Sequence, residues 1–235
     1  MRNFFRYGGM DSRDYGVYIS GQGTYDAPVK DVEFIQVPGR SGDLTISNNR
    51  FENIELTYPA FIYADFKTAI SRFKEALLSV DGYQELEDSY APDEYRRAIY
   101  TGDMKVDATN RNDAGEFDVT FNCDPRRFLK IGKLPVTMRS GGYIENPTKF
   151  DAKPLIRVTG YGTVVIGHVT ITIASGFSYI DIDSEMLDCY SGTSNANSKV
   201  SFSDNDFPIL PPGKTGVTYS GNVSNVVITP NWWRV

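Results

Sequence analysis

Histidine occurs once in this chain of 235 residues, and cysteine and tryptophan twice each. A single histidine, His168, excludes the paired histidines of an HExxH zinc site and leaves a Ser-His-Asp triad to a coincidence of fold. His168 follows Gly167 and precedes Val169, which reads as a surface turn before a strand. Cys123 and Cys189 fall one in each half and are too few for a disulfide scaffold, so both are expected to be free thiols. No stretch approaches ~18 consecutive apolar residues, and the opening Met1-Arg2-Asn3-Phe4-Phe5-Arg6 is interrupted by charge at once. Neither a signal peptide nor a membrane span is expected, and folding in a cytoplasm is. Phosphate-cradling glycine motifs are missing too: there is no P-loop, and Gly160-Tyr161-Gly162 sits between strands rather than at the head of a helix. Positive charge is not in excess. The net charge of −6 argues against clamping nucleic acid by counterion release, while leaving room for an acidic channel along which DNA slides.

What is present suits a protein with a real core: 40% hydrophobic and 23% charged residues. The length favours two domains, with one large β domain as the alternative. Residues 1–135 carry 17 Lys and Arg against 22 Asp and Glu, whereas residues 136–235 carry 7 against 8. The second part is thus sparsely charged, and rich in Gly, Ser, Thr and Asn. That shift supports a division into domains 1–135 and 136–235.

Along the first part, a strand pair is expected around Gly8-Gly9, strands at 32–37 and 44–46, and one alternating strand over 51–58. Phe66, Ile70, Phe73 and Leu77 then recur at helical spacing with Ala69 and Ala76 beside them, so a helix is expected over roughly 65–80. Asp65 is its expected N-cap and Gly82 its terminating glycine. An apolar stripe at this spacing belongs to a core. Strands follow at 83–86 and 95–100, with a strictly alternating run at 103–107 and a turn run at 109–115. Glu116 to Cys123 is the cleanest strand, with Phe117, Val119, Phe121 and Cys123 inward, and Asp124-Pro125 ends it. Residues 126–150 read as a connection. Its Arg126-Arg127, Lys130 and Lys133 form either a small basic patch or, more simply, a solvated exit from the strand. The second part is all short strands separated by glycine-containing turns, at 155–158, 163–166, 169–173, 179–182 and 226–228, which is the pattern of a β-sandwich or jelly roll.

Three places carry candidate contacts. In Val37-Pro38-Gly39-Arg40-Ser41-Gly42-Asp43-Leu44 the Pro-Gly pair makes a turn, and Arg40 and Asp43 either point into water or meet a neighbouring subunit. Asp181 and Asp183 share one strand face, and with Glu185 or Asp188 they either form an oxygen cage for Ca²⁺ or are simply the wet side of the strand. Trp232 and Trp233 are adjacent, so on a strand one closes the core and the other is an exposed contact aromatic. Together with Tyr190 and the other aromatics of this part (Tyr161, Phe177, Tyr179 and Tyr219), they raise the alternative of a domain that grips host cell-wall sugar.

Taken in order, these segments resemble the distal tail protein family of long, non-contractile-tailed phages and related prophages. In the first part the resemblance rests on residues 37–44, Arg50-Phe51-Glu52-Asn53-Ile54, Asp81-Gly82-Tyr83-Gln84-Glu85-Leu86, Tyr95-Arg96-Arg97-Ala98 and residues 115–125. In the second it rests on Asn146-Pro147-Thr148, Pro154-Leu155-Ile156, residues 180–185, residues 207–213 and Pro230-Asn231-Trp232-Trp233. The family pattern often has Asp where Ser41 stands and Asn where Lys214 stands. The resemblance implies a mainly β protein with one α-helix: an N-terminal β-sandwich carrying the helix, and a C-terminal galectin-like or jelly-roll β-sandwich. It also implies a homo-hexameric ring at the distal end of the tail tube, with a channel through which DNA passes without being specifically bound. The implied partners are the tail tube protein, the tail-tip protein and a receptor-binding protein. The implied location is the virion tail tip, after assembly in the bacterial host cytoplasm. No cofactor, metal or reaction is implied, and Arg40 and Asp43 become candidates for a subunit boundary.

Overall fold

The computed structural model describes residues 2–21, 26–102, 104, 106–109, 113–204 and 206–235. Of the sequence expectations, Asp103 and Lys105 in the alternating run and residues 110–112 in the turn run lie outside the described residues. The architecture is mainly β, with one α-helix among the described residues, and the chain divides into two compact units: residues 1–127 together with Val235, and residues 128–234. No helix among the described residues is long and apolar enough to cross a membrane.

The first unit contains β1 (Phe5–Tyr7), β2 (Met10–Asp11), β3 (Val17–Ile19), β4 (Lys30–Ile35), β5 (Leu44–Phe51), β6 (Ile54–Ile62), α1 (Phe66–Leu78), β7 (Gln84–Asp88), β8 (Glu94–Tyr100), β9 (Val106–Thr109) and β10 (Ala114–Cys123). Its main sheet runs β2-β1-β7-β8-β10-β6-β3, with β9 also on β10 and each pairing antiparallel. Period-2 alternation does what it should in β6 and β10. Leu56, Tyr58, Ala60 and Ile62 face inward opposite Phe121, Val119, Phe117 and Gly115, while Thr57 and Thr120 bond to each other on the outer face at 2.8 Å. The expected strand over 51–58 is in fact two. Phe51 ends β5 and pairs with Lys30, whereas Ile54 begins β6 and pairs with Cys123. Between them Asn53 pins the corner, donating to Tyr83 Oη and Asn122 Oδ1, both at 2.6 Å.

Helix α1 buries Phe66, Ile70, Phe73 and Leu77, the four residues of the apolar stripe. Phe73 meets Phe5 and Phe117 at centroid distances of 6.1 and 6.0 Å, and burial of each such side chain contributes about 1.5–3 kcal/mol. Its ends differ from expectation. Asp65 adopts a left-handed conformation (φ 51°) and makes no side-chain cap, and the first-turn N–H of Phe66 donates instead to the Asp113 carbonyl at 3.2 Å. Gly82 (φ 70°) lies three residues beyond the cap residue Ser79, where it turns the chain towards β7.

The second unit contains β11 (Arg127–Leu129, whose first residue belongs to the first unit), β12 (Val136–Met138), β13 (Gly142–Asn146), β14 (Leu155–Ile166), β15 (Val169–Ile173), β16 (Tyr179–Asp183), β17 (Asp188–Ser191), β18 (Ser194–Asn195), β19 (Val200–Phe202), β20 (Gly213–Thr229) and β21 (Trp233–Arg234). The sheet runs β12-β20-β14-β16-β17-β18, with β13 on β20, and β15 bridging β14 to β19. Two expectations change here. Residues 126–150 are not a bare connection, since β12 and β13 both pair with β20. The strands expected at 155–158 and 163–166 are one twelve-residue strand, running beside the seventeen-residue β20. Gly160 and Gly162 interrupt the apolar pattern because the β20 backbone passes where their side chains would be, against Asn222 O and Ser220 O, at a bulge between Thr159 and Gly160.

Candidate assembly interface

Strands β4 and β5 form a two-stranded sheet of their own. Val37 to Arg40 is a type II turn: Gly39 takes φ 80° at the third position, and Arg40 N donates to Val37 O at 3.1 Å. Strand β4 stops at Ile35, so the connecting loop runs over 36–43 and carries Arg40 and Asp43 at its exposed tip. Neither side chain has a hydrogen-bond or ion-pair partner among the described residues. Behind the tip, Ile35 faces Leu44 across the ladder and Ile46 faces Glu33. That puts Ile35, Leu44 and Ile46 on one face, 38–48% exposed, with Phe34 on the other face at 66%. A lone two-stranded ribbon is marginal in water, and an exposed apolar ribbon with open edges is a template for pairing with another chain.

The base of this arm is fastened by charge. Asp31 accepts from Arg50 Nε at 2.6 Å and from Asn48 Nδ2 at 3.0 Å, and these bonds hold its carboxyl below the usual range. The register shifts between Lys30 and Val32, and Asn49 opposite takes φ 53°, so a bulge twists the ribbon at its root. Sequence reasoning found the tip residues and missed Phe34, Ile35, Leu44 and Ile46 as exposed groups. Alternation alone does not tell an arm from a core strand.

The other candidates are occupied by contacts inside their own units. Arg126 is clasped by Asp124 (Nη2 to Oδ2, 2.7 Å) and Arg127 by Glu94 (2.8 Å), so the Arg-Arg pair is not a free basic patch. Asp181 is 4% exposed, and both its oxygens accept from Arg157, at 2.7 Å each. The Arg157 guanidinium also lies 4.6 Å over the Tyr179 ring. Asp183 Oδ1 accepts from the N–H groups of Glu185 and Met186, both at 2.9 Å, which makes it a turn-former. Among the described residues no group of three His, Cys, Asp or Glu is placed to hold a metal ion. Tyr190 stands opposite Asp181 on β17, half-buried, with its hydroxyl pKa raised by burial.

Trp232 is 5% exposed within the core and presents no open ring face. Trp233 stacks on Phe150 at a centroid distance of 4.4 Å, and its indole N–H donates to Asp151 O at 2.9 Å. Tyr143 and Tyr161, at 58% and 43% exposed, are the open aromatics among the described residues of this unit. His168 is exposed in the turn between β14 and β15.

No protein-family model matches this sequence, and no curated protein matches it. Among solved structures, the crystal structure of the SPP1 Dit (gp 19.1) protein, described as a paradigm of hub adsorption apparatus in Gram-positive-infecting phages, is similar over 100% of both chains, with a TM-score of 0.76 and 14% sequence identity. From end to end, therefore, this chain has the fold of the SPP1 Dit protein.

Proposed function

We propose that the chain is a structural protein of a phage tail tip, a hub that six copies build into a ring at the end of the tail tube, without catalysis. The ring joins the tube to the tip and receptor-binding apparatus and leaves a channel for DNA. The observation that carries this reading is the exposed apolar arm on a chain whose fold matches a phage hub protein along its full length. Ile35, Leu44 and Ile46 on one face of a two-stranded ribbon are surface that a second copy covers, and Arg40 and Asp43 at the tip then sit at or near that boundary. The first unit's acidic balance suits passage of DNA rather than its retention.

The test is assembly. Purified protein at rising concentration is expected to form closed rings in electron micrographs and a matching mass by light scattering. Replacing Ile35, Leu44 and Ile46 together by serine is expected to leave a folded monomer with an unchanged melting temperature and no rings. Arg40→Ala with Asp43→Ala is expected to weaken assembly less. A wild-type chain that stays monomeric at high concentration refutes the reading.

A further inference from the structure

The outer face of the first unit's main sheet carries a row of aromatic side chains. Pro59 and Phe61 belong to the outward row of β6, and Tyr63, just beyond the strand, is 54% exposed. Register places Tyr18 of β3 on one side of Phe61 and Glu116 of β10 on the other, with Asp118 beside Pro59. The Phe61 ring lies 4.7 Å from that of Tyr63 and 6.0 Å from that of Tyr18, centroid to centroid. The Arg2 guanidinium sits over two of these rings, 4.5 Å from the Tyr63 centroid and 5.0 Å from that of Tyr18. Pro59, Phe61, Tyr63, Glu116 and Asp118 line an open groove of about 630 Å³. Glu116 and Asp118 are exposed, and neither has a hydrogen-bond or ion-pair partner among the described residues.

This groove complements the arm of β4 and β5. The arm offers Phe34, Ile35, Leu44 and Ile46, with one unpaired cation and one unpaired anion at its tip, Arg40 and Asp43. The groove offers aromatic surface, two carboxylates, and the guanidinium of Arg2 at its margin. Apolar surface thus has an apolar counterpart, and each charge of the tip has its opposite. Such matching selects a partner and fixes its register. No arm residue lines the groove, so a chain does not fill its own. Because arm and groove are different patches, their contact is heterologous and repeats from copy to copy until a ring closes. Arm against arm is a two-fold contact that stops at a pair.

We infer that the groove over β6 and β10 receives the arm of a second copy, with Arg40 set against Glu116 and Asp118; this rests on the ring proposed above and names the surface on which the arm lands.

The experiment reverses charges in the full chain and follows ring formation by light scattering. Arg40→Glu alone, and Glu116→Arg with Asp118→Arg, are each expected to raise the concentration needed for half-assembly by about tenfold or more, because like charges then meet. All three changes in one chain are expected to bring it back to within about threefold of wild type. Each variant is expected to keep the wild-type melting temperature. Rings that form equally well with the groove reversed overturn the docking and leave the ring standing. A groove variant that assembles poorly and is not rescued by Arg40→Glu means that something other than the arm occupies the groove, and also overturns it. A wild type without rings overturns both. If the reversed groove does not fold, Glu116→Gln with Asp118→Asn takes its place. Arg40→Gln is then expected to cost nothing further in that background, and full additivity overturns the docking.

Discussion

Phe66 and Gly115 are in contact so close that only glycine fits. A Cβ built on Gly115 lies 2.6 Å from Cζ and 2.8 Å from Cδ2 of the Phe66 ring. The first turn of the helix thus packs onto the bare backbone of β10, just where that strand begins. Gly115→Ala is expected to destabilise the first unit by about 1–3 kcal/mol in denaturant unfolding, because the ring must leave its rotamer or the strand must move. Adding Phe66→Ala is expected to cost less in the Gly115→Ala background than in wild type, and simple additivity between the two changes tells against the contact.

Among the described residues, Arg157 alone donates hydrogen bonds to the Asp181 carboxylate, and it reaches both oxygens. Its side chain is 53% exposed while that of Asp181 is 5% exposed, so removing the arginine strands a buried carboxylate. Arg157→Ala is expected to lower stability by about 1–3 kcal/mol, read from the unfolding midpoint. Calcium or a chelator is expected to leave that midpoint where it is, since the oxygens of Asp181 are already taken. A calcium-dependent rise in melting temperature reopens the metal reading.

The acid limb of stability has a named contributor. The Asp11 carboxylate accepts from Arg13 (Nε at 2.9 Å, Nη2 at 2.6 Å, backbone N at 3.0 Å) and from Arg6 Nε at 3.0 Å. The side-chain bonds to Arg13, ahead of the others, hold its pKa well below the usual carboxylate value. A folded pKa below the unfolded one gives stability that is complete above the unfolded value of about 4 and is lost as pH falls through the folded one. Asp11→Asn is expected to remove this loss, flattening the stability curve below about pH 4. The size of the effect is about 0.5–1 kcal/mol, as for a pair screened by solvent.

Both thiols are out of reach. Burial pushes Cys123 and Cys189 each up to about 12. At pH 8 a thiol reagent is expected to label native protein negligibly and to label both cysteines per chain once denaturant is added. Rapid labelling of native protein at either position contradicts the burial described here.

The helix stripe and the inward rows of β6 and β10 were legible because their period is local: each residue's face follows from its neighbours in sequence. What escaped depends on partners far along the chain. Phe51 and Ile54 keep one alternating rhythm while belonging to different sheets, and nothing near them marks the change. Strand β20 hides behind Gly216, Ser220, Gly221 and Asn222, which look like turn residues until β14 is seen to cross closely at Gly160 and Gly162. Arg40 and Asp43 stand at the tip of a hairpin, as turn chemistry indicates. The apolar surface behind them shows only once both faces of the ribbon are found uncovered. Trp232 and Trp233 read as one buried and one open, yet Phe150 and the Asp151 carbonyl occupy the second.

The pairing of β20 has a consequence for how the protein is made. β12 and β13, at residues 136–146, find their partners at 213–228, and the middle of the second unit is likewise laid against that late strand. During synthesis the first unit has all its strands through Cys123 while the second is still unwritten, and it is free to fold as a unit. The second unit cannot close its sheet until residue 229 has emerged, and closing it then pays for long loops at one stroke. A ribosome stalled before Gly213 would therefore carry strands β1 to β10 of the first unit complete and an open second unit, with the edge of β14 bare. Truncation anywhere in β20 removes the spine of that unit rather than trimming its end.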